Sequence, residues 1–433
     1  MRNRPAIDKC ILSFSHNRQE TRREADRTAL QKARREIAEG RRGISHLILR
    51  ASDDRIDRLK FLFLIDGIPL LCYSLGNLIL STVREIVVVG SPEVRVVLDY
   101  FLDTVDARGK TIHFVPEDPE NLMLFQTMLL GRRALSLQAN EMVLFQPGDL
   151  PFMYDLDKVV HDRDIRTHNL ILWLNSRQAM FPDVTRQPAS EFFQRNYHYR
   201  AIDEKTGILH EVKEPNTYPL NLAAVEGDII ELLHETRKDG KILNALANKA
   251  LHEPKRMLKM LPVVAHHFRR FEKSLKKLRT QDAYKFGMHI KNFNRGMSIL
   301  LDTPAVARFH ADPAFVADVD ALEDWEDYES LTHHAATVHG AEGLRRIHPF
   351  GEELIRFREK AMPRLRLQLP MYGDFQGYLN ALYRSLEMGY TPFDKEGRYD
   401  TPNLHTPMVE QAYRWFAAKT ERWKEGRNSE LSE

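Results

Sequence analysis

The sequence predicts an α/β protein built on a doubly wound, mostly parallel sheet, with a helical insertion and a helical C-terminal extension. Three observations carry that expectation. Between Ser45 and Leu174, short apolar runs of strand length alternate with longer amphipathic segments. Two of the runs, Ile86-Val87-Val88-Val89 and Leu170-Ile171-Leu172-Trp173-Leu174, are apolar at every position, which suits strands covered by helices on both faces. Regular β–α alternation feeds crossover connections, and those build parallel sheets.

Residues 1–43 carry 12 Lys and Arg against 6 Asp and Glu. Within them Gln19–Glu39 reads as a helix with a thin apolar stripe of Leu30, Ala33 and Ile37, so this stretch is expected to be a solvated extension or interaction arm. The domain proper is expected over residues 44–330. Its first strand is placed at Ser45–Ala51 and ends in the charged turn Ser52-Asp53-Asp54-Arg55. Lys60, an apolar run and the tight Asp66-Gly67 turn follow, and Pro69 opens a helix reaching Ser81. Proline suits a first helical position because its missing N–H would be unpaired there anyway.

Next come strand Glu85–Gly90 with helix Pro92–Asp103, strand Thr111–Val115 with helix Glu120–Leu137, and strand Met142–Gln146 with a short helix at Tyr154–His161. Leu170–Leu174 is a further strand. Tyr199–Ile202 and Ile208–Val212 flank Asp203-Glu204-Lys205-Thr206-Gly207, which reads as a hairpin with glycine in the turn. Residues 228–300 read as a basic helical insertion, and 331–433 as a mainly helical region without a motif.

Composition narrows the class. The chain has 433 residues, enough for one large domain with additions or for two, and 43% are hydrophobic. No apolar run approaches the roughly 20 residues of a membrane span, and the N-terminus is polar and basic rather than signal-like. Cys10 and Cys72 have no metal-ligand spacing, which points to a reducing compartment, and a cytoplasmic protein is expected. Walker-type loops, CxxC pairs, HExxH and Gly-x-Ser-x-Gly are absent. The adjacent pairs His266-His267 and His333-His334 would point to different helix faces and suit no single metal.

The net charge of +2 conceals segregation. From His234 to Arg295 there are 16 Lys and Arg against 5 Asp and Glu, whereas Asp312–Glu329 holds eight acidic residues and no Lys or Arg. The two segments could neutralise each other. Alternatively the basic one could face a phosphorylated substrate, an anionic membrane surface or nucleic acid, although no specific nucleic-acid motif is present. A stripe of Phe268, Phe271, Leu275 and Leu278 between Arg269, Arg270, Lys273, Lys276 and Lys277 predicts a buried apolar face and an exposed basic one.

Ligands of doubly wound sheets bind beyond the carboxyl ends of the strands, so the turn after the first strand and Asp149 after a later one are expected on one edge. Lys60, Leu62, Gly67, Pro69, Leu70 and Leu71 form a K-x-L-x-x-x-x-G-x-P-L-L run. A strand then ends in Gly148-Asp149-Leu150-Pro151, and Asp318-Val319-Asp320-Ala321-Leu322-Glu323-Asp324 follows. These motifs, in this order across Ser45 to about Ser330, resemble the molybdenum-cofactor guanylyltransferase and sugar-phosphate nucleotidyltransferase families.

The resemblance implies a Rossmann-like, GT-A-type nucleotidyltransferase fold. It also implies Mg²⁺-dependent transfer of an NMP group from a nucleoside triphosphate to a phosphorylated small-molecule acceptor, with release of pyrophosphate. It makes Asp149 and Asp320 the Mg²⁺ ligands, with Asp318 a further candidate. Lys60 would sit on phosphates and Arg55 would flank the triphosphate. Asn121 and Gln126 would lie near base or ribose, and Asn216 near the acceptor. Read as local structure alone, Asp149 equally suits a turn after a strand, and Asp320 with Glu323 equally suits a helix cap.

One departure stands out: Arg50-Ala51-Ser52-Asp53-Asp54-Arg55 has no glycine where the family loop is glycine-rich. Glycine lets backbone N–H groups approach phosphate closely. Two alternatives therefore stay open: a catalytically degenerate nucleotide- or partner-binding protein on the same fold, or a nucleotide-sugar glycosyltransferase.

Overall fold

The computed structural model describes residues 4–15, 35, 39, 60–118, 123–180, 192–193, 199–213, 216–236, 254–278, 286–319, 322–385, 389–402, 404 and 406–430. Strand β1 (Lys9–Ser13) comes first, followed by the small hairpin β2 (Leu64–Ile65) and β3 (Ile68–Pro69) and helix α1 (Leu70–Leu80). Then come β4 (Glu85–Gly90), α2 (Pro92–Thr104), β5 (Thr111–Pro116), α3 (Leu124–Ala134), β6 (Val143–Pro147) and β7 (Leu170–Ser176). β8 (Tyr199–Ile202), β9 (Leu209–Lys213) and β10 (Tyr218–Leu220) precede α4 (Gly227–Thr236) and α5 (Pro254–Leu278). β11 (Phe286–His289), α6 (Ile290–Leu300) and β12 (Ala305–His310) complete the sheet. The helices beyond it are α7 (Leu322–His339), α8 (Gly343–Ile347), α9 (Gly351–Lys360), α10 (Met362–Gln368), α11 (Phe375–Ser385) and α12 (Pro407–Glu430).

The ten main strands run in the order β11-β8-β9-β7-β10-β6-β1-β4-β5, with β12 also paired to β7. β1 pairs in parallel with β4 and β6, β4 with β5, β7 with β12 and β8 with β11. β10 runs antiparallel between β6 and β7, and β9 antiparallel between β7 and β8. The fold is thus α/β around a mixed, mostly parallel sheet. It is wound on both faces. Cys10 and Leu12 of β1 face the core beneath α1 and α2, whereas Ile11 faces the one beneath α3, α4 and α6, the alternation a strand imposes.

Two expectations are corrected. Residues 1–43 are not wholly an extension, because Lys9–Ser13 is a central strand of the sheet. Its apolar stretch Cys10-Ile11-Leu12 is short and set among charges, and only the flanking strands β4 and β6 and the helix layers bury it. The proposed first strand Ser45–Ala51, its charged turn and the helix Gln19–Glu39 lie essentially outside the described residues. Nor is 228–300 wholly helical, since Phe286–His289 pairs with β8 at the sheet edge.

One apolar core joins the sheet to the C-terminal helices. Ile7, Leu12 and Phe14 belong to the same buried cluster as Trp325, Phe350, Phe357, Tyr383 and Phe416. No helix among the described residues is long and apolar enough to cross a membrane.

Candidate functional site

The chain direction across the sheet reverses at β1: β4 and β5 follow on one side, β6 on the other. Connections leaving the carboxyl ends of β1 and β6 diverge there, and this is where open α/β sheets form a crevice. Ser13, Phe14 and Ser15 leave β1 at this point, and Pro147, Gly148 and Asp149 leave β6. The two exits are tied by Gly148 N–H donating to Ser13 O at 2.8 Å. A Cβ on Gly148 would come within 2.0 Å of the Phe14 ring, so only glycine fits.

Lys60, in a 3₁₀ turn before β2, enters this crevice. Its ammonium lies 2.7 Å from the Asp149 carboxylate, and Lys60 and Asp149 are only 2% and 7% exposed. Lys60 also donates to Val319 O at 3.2 Å, while Val319 N–H donates to Asp149 O at 3.0 Å. A second buried pair stands beside the first: Lys213, the last residue of β9, meets Asp318 at 2.6 Å and donates to Val316 O at 2.9 Å. The Tyr328 hydroxyl donates to Ala317 O at 2.6 Å, and burial, with Asp318 and Asp324 nearby, holds its pKa well above the ordinary phenol value. The loop Val316–Val319 is therefore pinned over the sheet edge by two ammonium groups and a phenol. These extra acceptors offset the desolvation that makes a buried ion pair costly.

Of the sequence-derived candidates, the structure brings together Lys60 and Asp149, with Asp318 one residue before the Val319 contact. Extending the β6–β10 register by two residues sets Asn216 beside Pro147. Asn216 is buried, and its Nδ2 has no hydrogen-bond partner among the described residues. Gln126 is in the first turn of α3, on the other face of the sheet, where Thr127 and Ser15 share a 3.2 Å contact and Ser15 donates to Glu117 at 3.0 Å. Arg55, Asn121 and Asp320 lie outside the described residues. Lys213 was not singled out by sequence reasoning. Its only local signal is a lysine ending a strand, and the partner that gives it meaning is 105 residues away.

No family model matches this sequence, and no curated protein matches it. Solved structures are similar to it at a low level. A hypothetical transferase from Thermus thermophilus has 14% identity and a TM-score of 0.37, over 74% of this chain and 99% of that one. The inositol-1-phosphate CTP transferase from T. maritima has 14% identity and a TM-score of 0.29, over 50% of this chain and 72% of its own. The 4-diphosphocytidyl-2C-methyl-D-erythritol synthase from Anaerococcus prevotii has 9% identity and a TM-score of 0.34, over 75% and 97%. The fold rests on the strand order above.

Proposed function

We propose that this chain transfers an NMP group from a nucleoside triphosphate to a phosphorylated small-molecule acceptor, releasing pyrophosphate, at the crevice between β1 and β6. The observation that carries this reading is the Lys60–Asp149 pair, two residues from separate sequence motifs that meet at the switch point of the sheet. In such a transfer an acceptor oxygen forms a bond to the α-phosphorus, and the bond to pyrophosphate breaks. Negative groups meet, so the barrier is mostly electrostatic. A phosphate monoester has a second pKa of about 6, is largely dianionic near neutrality and needs no strong general base.

Lys60 would exchange its carboxylate partner for a phosphate oxygen as substrate enters. Lys213, paired with Asp318, would offer a second cation on the same edge. Arg55 would flank the triphosphate, Asn121 and Gln126 would lie towards the nucleoside, and the Asn216 amide would meet the acceptor. Carboxylate oxygens are hard donors of the kind Mg²⁺ takes, usually one or two per ion with substrate phosphates completing the shell. Asp149 fits that pattern and Asp320 would join it, and the ion when bound would neutralise phosphate charge.

Pyrophosphate release, measured with Mg²⁺ across the four common triphosphates and a panel of phosphorylated acceptors, tests the reading. We expect release with at least one combination. It should fall by roughly a hundredfold or more in Asp149→Asn with the circular dichroism spectrum unchanged. The second reading, a binding protein that lost catalysis, is favoured by the closure of Lys60 on Asp149. Calorimetric binding of a triphosphate with no release in any combination would establish it. Cleavage of a nucleotide sugar instead would indicate glycosyl transfer.

A further inference from the structure

Helix α5 has two unlike sides. One is docked: Val263 and Met260 pack against Gly296 of α6, Asn292 donates to Val263 O at 2.8 Å, and Arg256 pairs with Glu226. The opposite side is apolar and open. Leu258, Leu261 and Val264 recur at three-residue spacing and are 65%, 54% and 43% exposed, three of the six large hydrophobic residues so exposed among the described residues. Single exposed apolar side chains are ordinary, but a row of them on one helix is not.

Beside this row, Lys255, Lys259, Arg269, Arg270 and Lys273 are exposed. No ion pair holds Lys255, Lys259, Arg269 or Lys273 among the described residues. The helix as a whole carries eight Lys and Arg against one Glu. We propose that α5 is a docking face for an anionic lipid surface, with Leu258, Leu261 and Val264 entering the headgroup boundary and the flanking lysines and arginines meeting lipid phosphates. An apolar row bordered by long cationic side chains is what an in-plane interfacial helix presents, because the stems lie along the apolar surface while the charged ends reach phosphate.

Charge complementarity favours lipid over a second copy of the chain. Within the obvious acidic stretch, Asp312–Glu329, four residues are already committed within the fold: Asp312 to Lys419, Asp318 to Lys213, Glu326 to Tyr383 and Tyr390, and Glu329 to the Asp66 N–H. Of the face expected from sequence, Arg269, Arg270 and Lys273 are exposed, while the side chains of Phe268, Phe271, Leu275, Leu278, Lys276 and Lys277 lie outside the described residues.

Co-sedimentation of the full chain with phosphatidylcholine vesicles, with and without phosphatidylglycerol, tests the proposal. We expect partition only into the anionic vesicles, weakened by salt. A basic residue near such a surface contributes about fivefold, so Lys255→Gln with Lys259→Gln should lower the partition coefficient roughly 25-fold. Leu261→Asp should abolish binding with an unchanged melting temperature, because that side chain is exposed. Failure of the wild-type chain to bind anionic vesicles at low salt would overturn the proposal, as would equal binding by Leu261→Asp. So would light scattering that shows a dimer dissolved by Leu258→Asp in a chain that ignores vesicles.

Discussion

A lysine ammonium and an aspartate carboxylate buried together, as Lys60 and Asp149 are, stabilise each other only as a pair. Removing one leaves a charge in a dry site, whereas removing both leaves a shape that apolar side chains can fill. Asp149→Ala should therefore cost about 3–5 kcal/mol in chemical denaturation, and Lys60→Met with Asp149→Leu should recover most of that loss. A negligible cost for the single substitution would mean that water reaches the pair. The same logic covers Lys213 and Asp318, yet only the first pair is legible in sequence. Lys60 and Asp149 sit in recognisable runs, whereas Lys213 acquires its role from a loop that arrives 105 residues later.

At the scale of elements, the hairpin that follows Lys60 is held by the C-terminal helices. Asp66 and Gly67 have φ of 51° and 71°, as an Asp-Gly hairpin turn requires. The first strand, the segment before it and the turn itself are then tied by distant side chains. Trp325 Nε1 donates to Leu64 O at 2.8 Å, the Tyr372 hydroxyl to Leu62 O at 2.9 Å, and Arg358 to Asp66 O at 3.2 Å. Glu329 accepts the Asp66 N–H at 2.7 Å. Burial raises the Glu329 pKa to about 8; the hydrogen bond from the Asp66 N–H opposes the rise, the Asp66 carboxylate adds to it and Arg358 opposes it. An acid whose folded pKa exceeds its ordinary 4.5 keeps its proton in the folded state while the unfolded chain has lost it. Its stabilising contribution is full below pH 4.5 and is lost as pH rises towards 8. Thermal melts across that window should show stability falling with pH, and Glu329→Gln should flatten the slope. An identical slope in the variant would assign the effect to another group.

Over the whole molecule, the division into a domain at 44–330 and a helical region at 331–433 does not correspond to two cores. Ile347, Phe350, Leu354, Phe357, Leu365, Tyr383 and Phe416 are all buried in the cluster that also contains Ile7, Leu12 and Tyr73. His348, fully buried, reaches Asn77 Oδ1 at 3.0 Å and Pro151 O at 3.2 Å, and burial lowers its pKa to about 3. A chain ending at residue 330 would expose this apolar surface and leave Asn77 without that partner. We expect it to aggregate, or to melt without a cooperative transition in calorimetry. A sharp transition for the truncated chain would show that the helical region is an independent addition.

Local pattern determined a large part of this protein. Strands β4 and β7 are legible because each contains an unbroken apolar run, the hairpin β8–β9 because its turn contains glycine, and α1 because Pro69 precedes an apolar run. The Lys60 and Asp149 motifs are legible because their spacing does not depend on the rest of the chain. Tertiary structure decided what periodicity cannot express. Lys9–Ser13 becomes a central strand because its neighbours bury both its faces, although its own sequence is short and bordered by charge. Within the acidic stretch after β12, Asp318 pairs with Lys213 and Asp312 with Lys419, because ion pairing follows proximity in the fold and not complementary composition. The direction α5 faces was likewise set by Gly296, which lets Val263 approach α6 and so turns Leu258, Leu261 and Val264 outward.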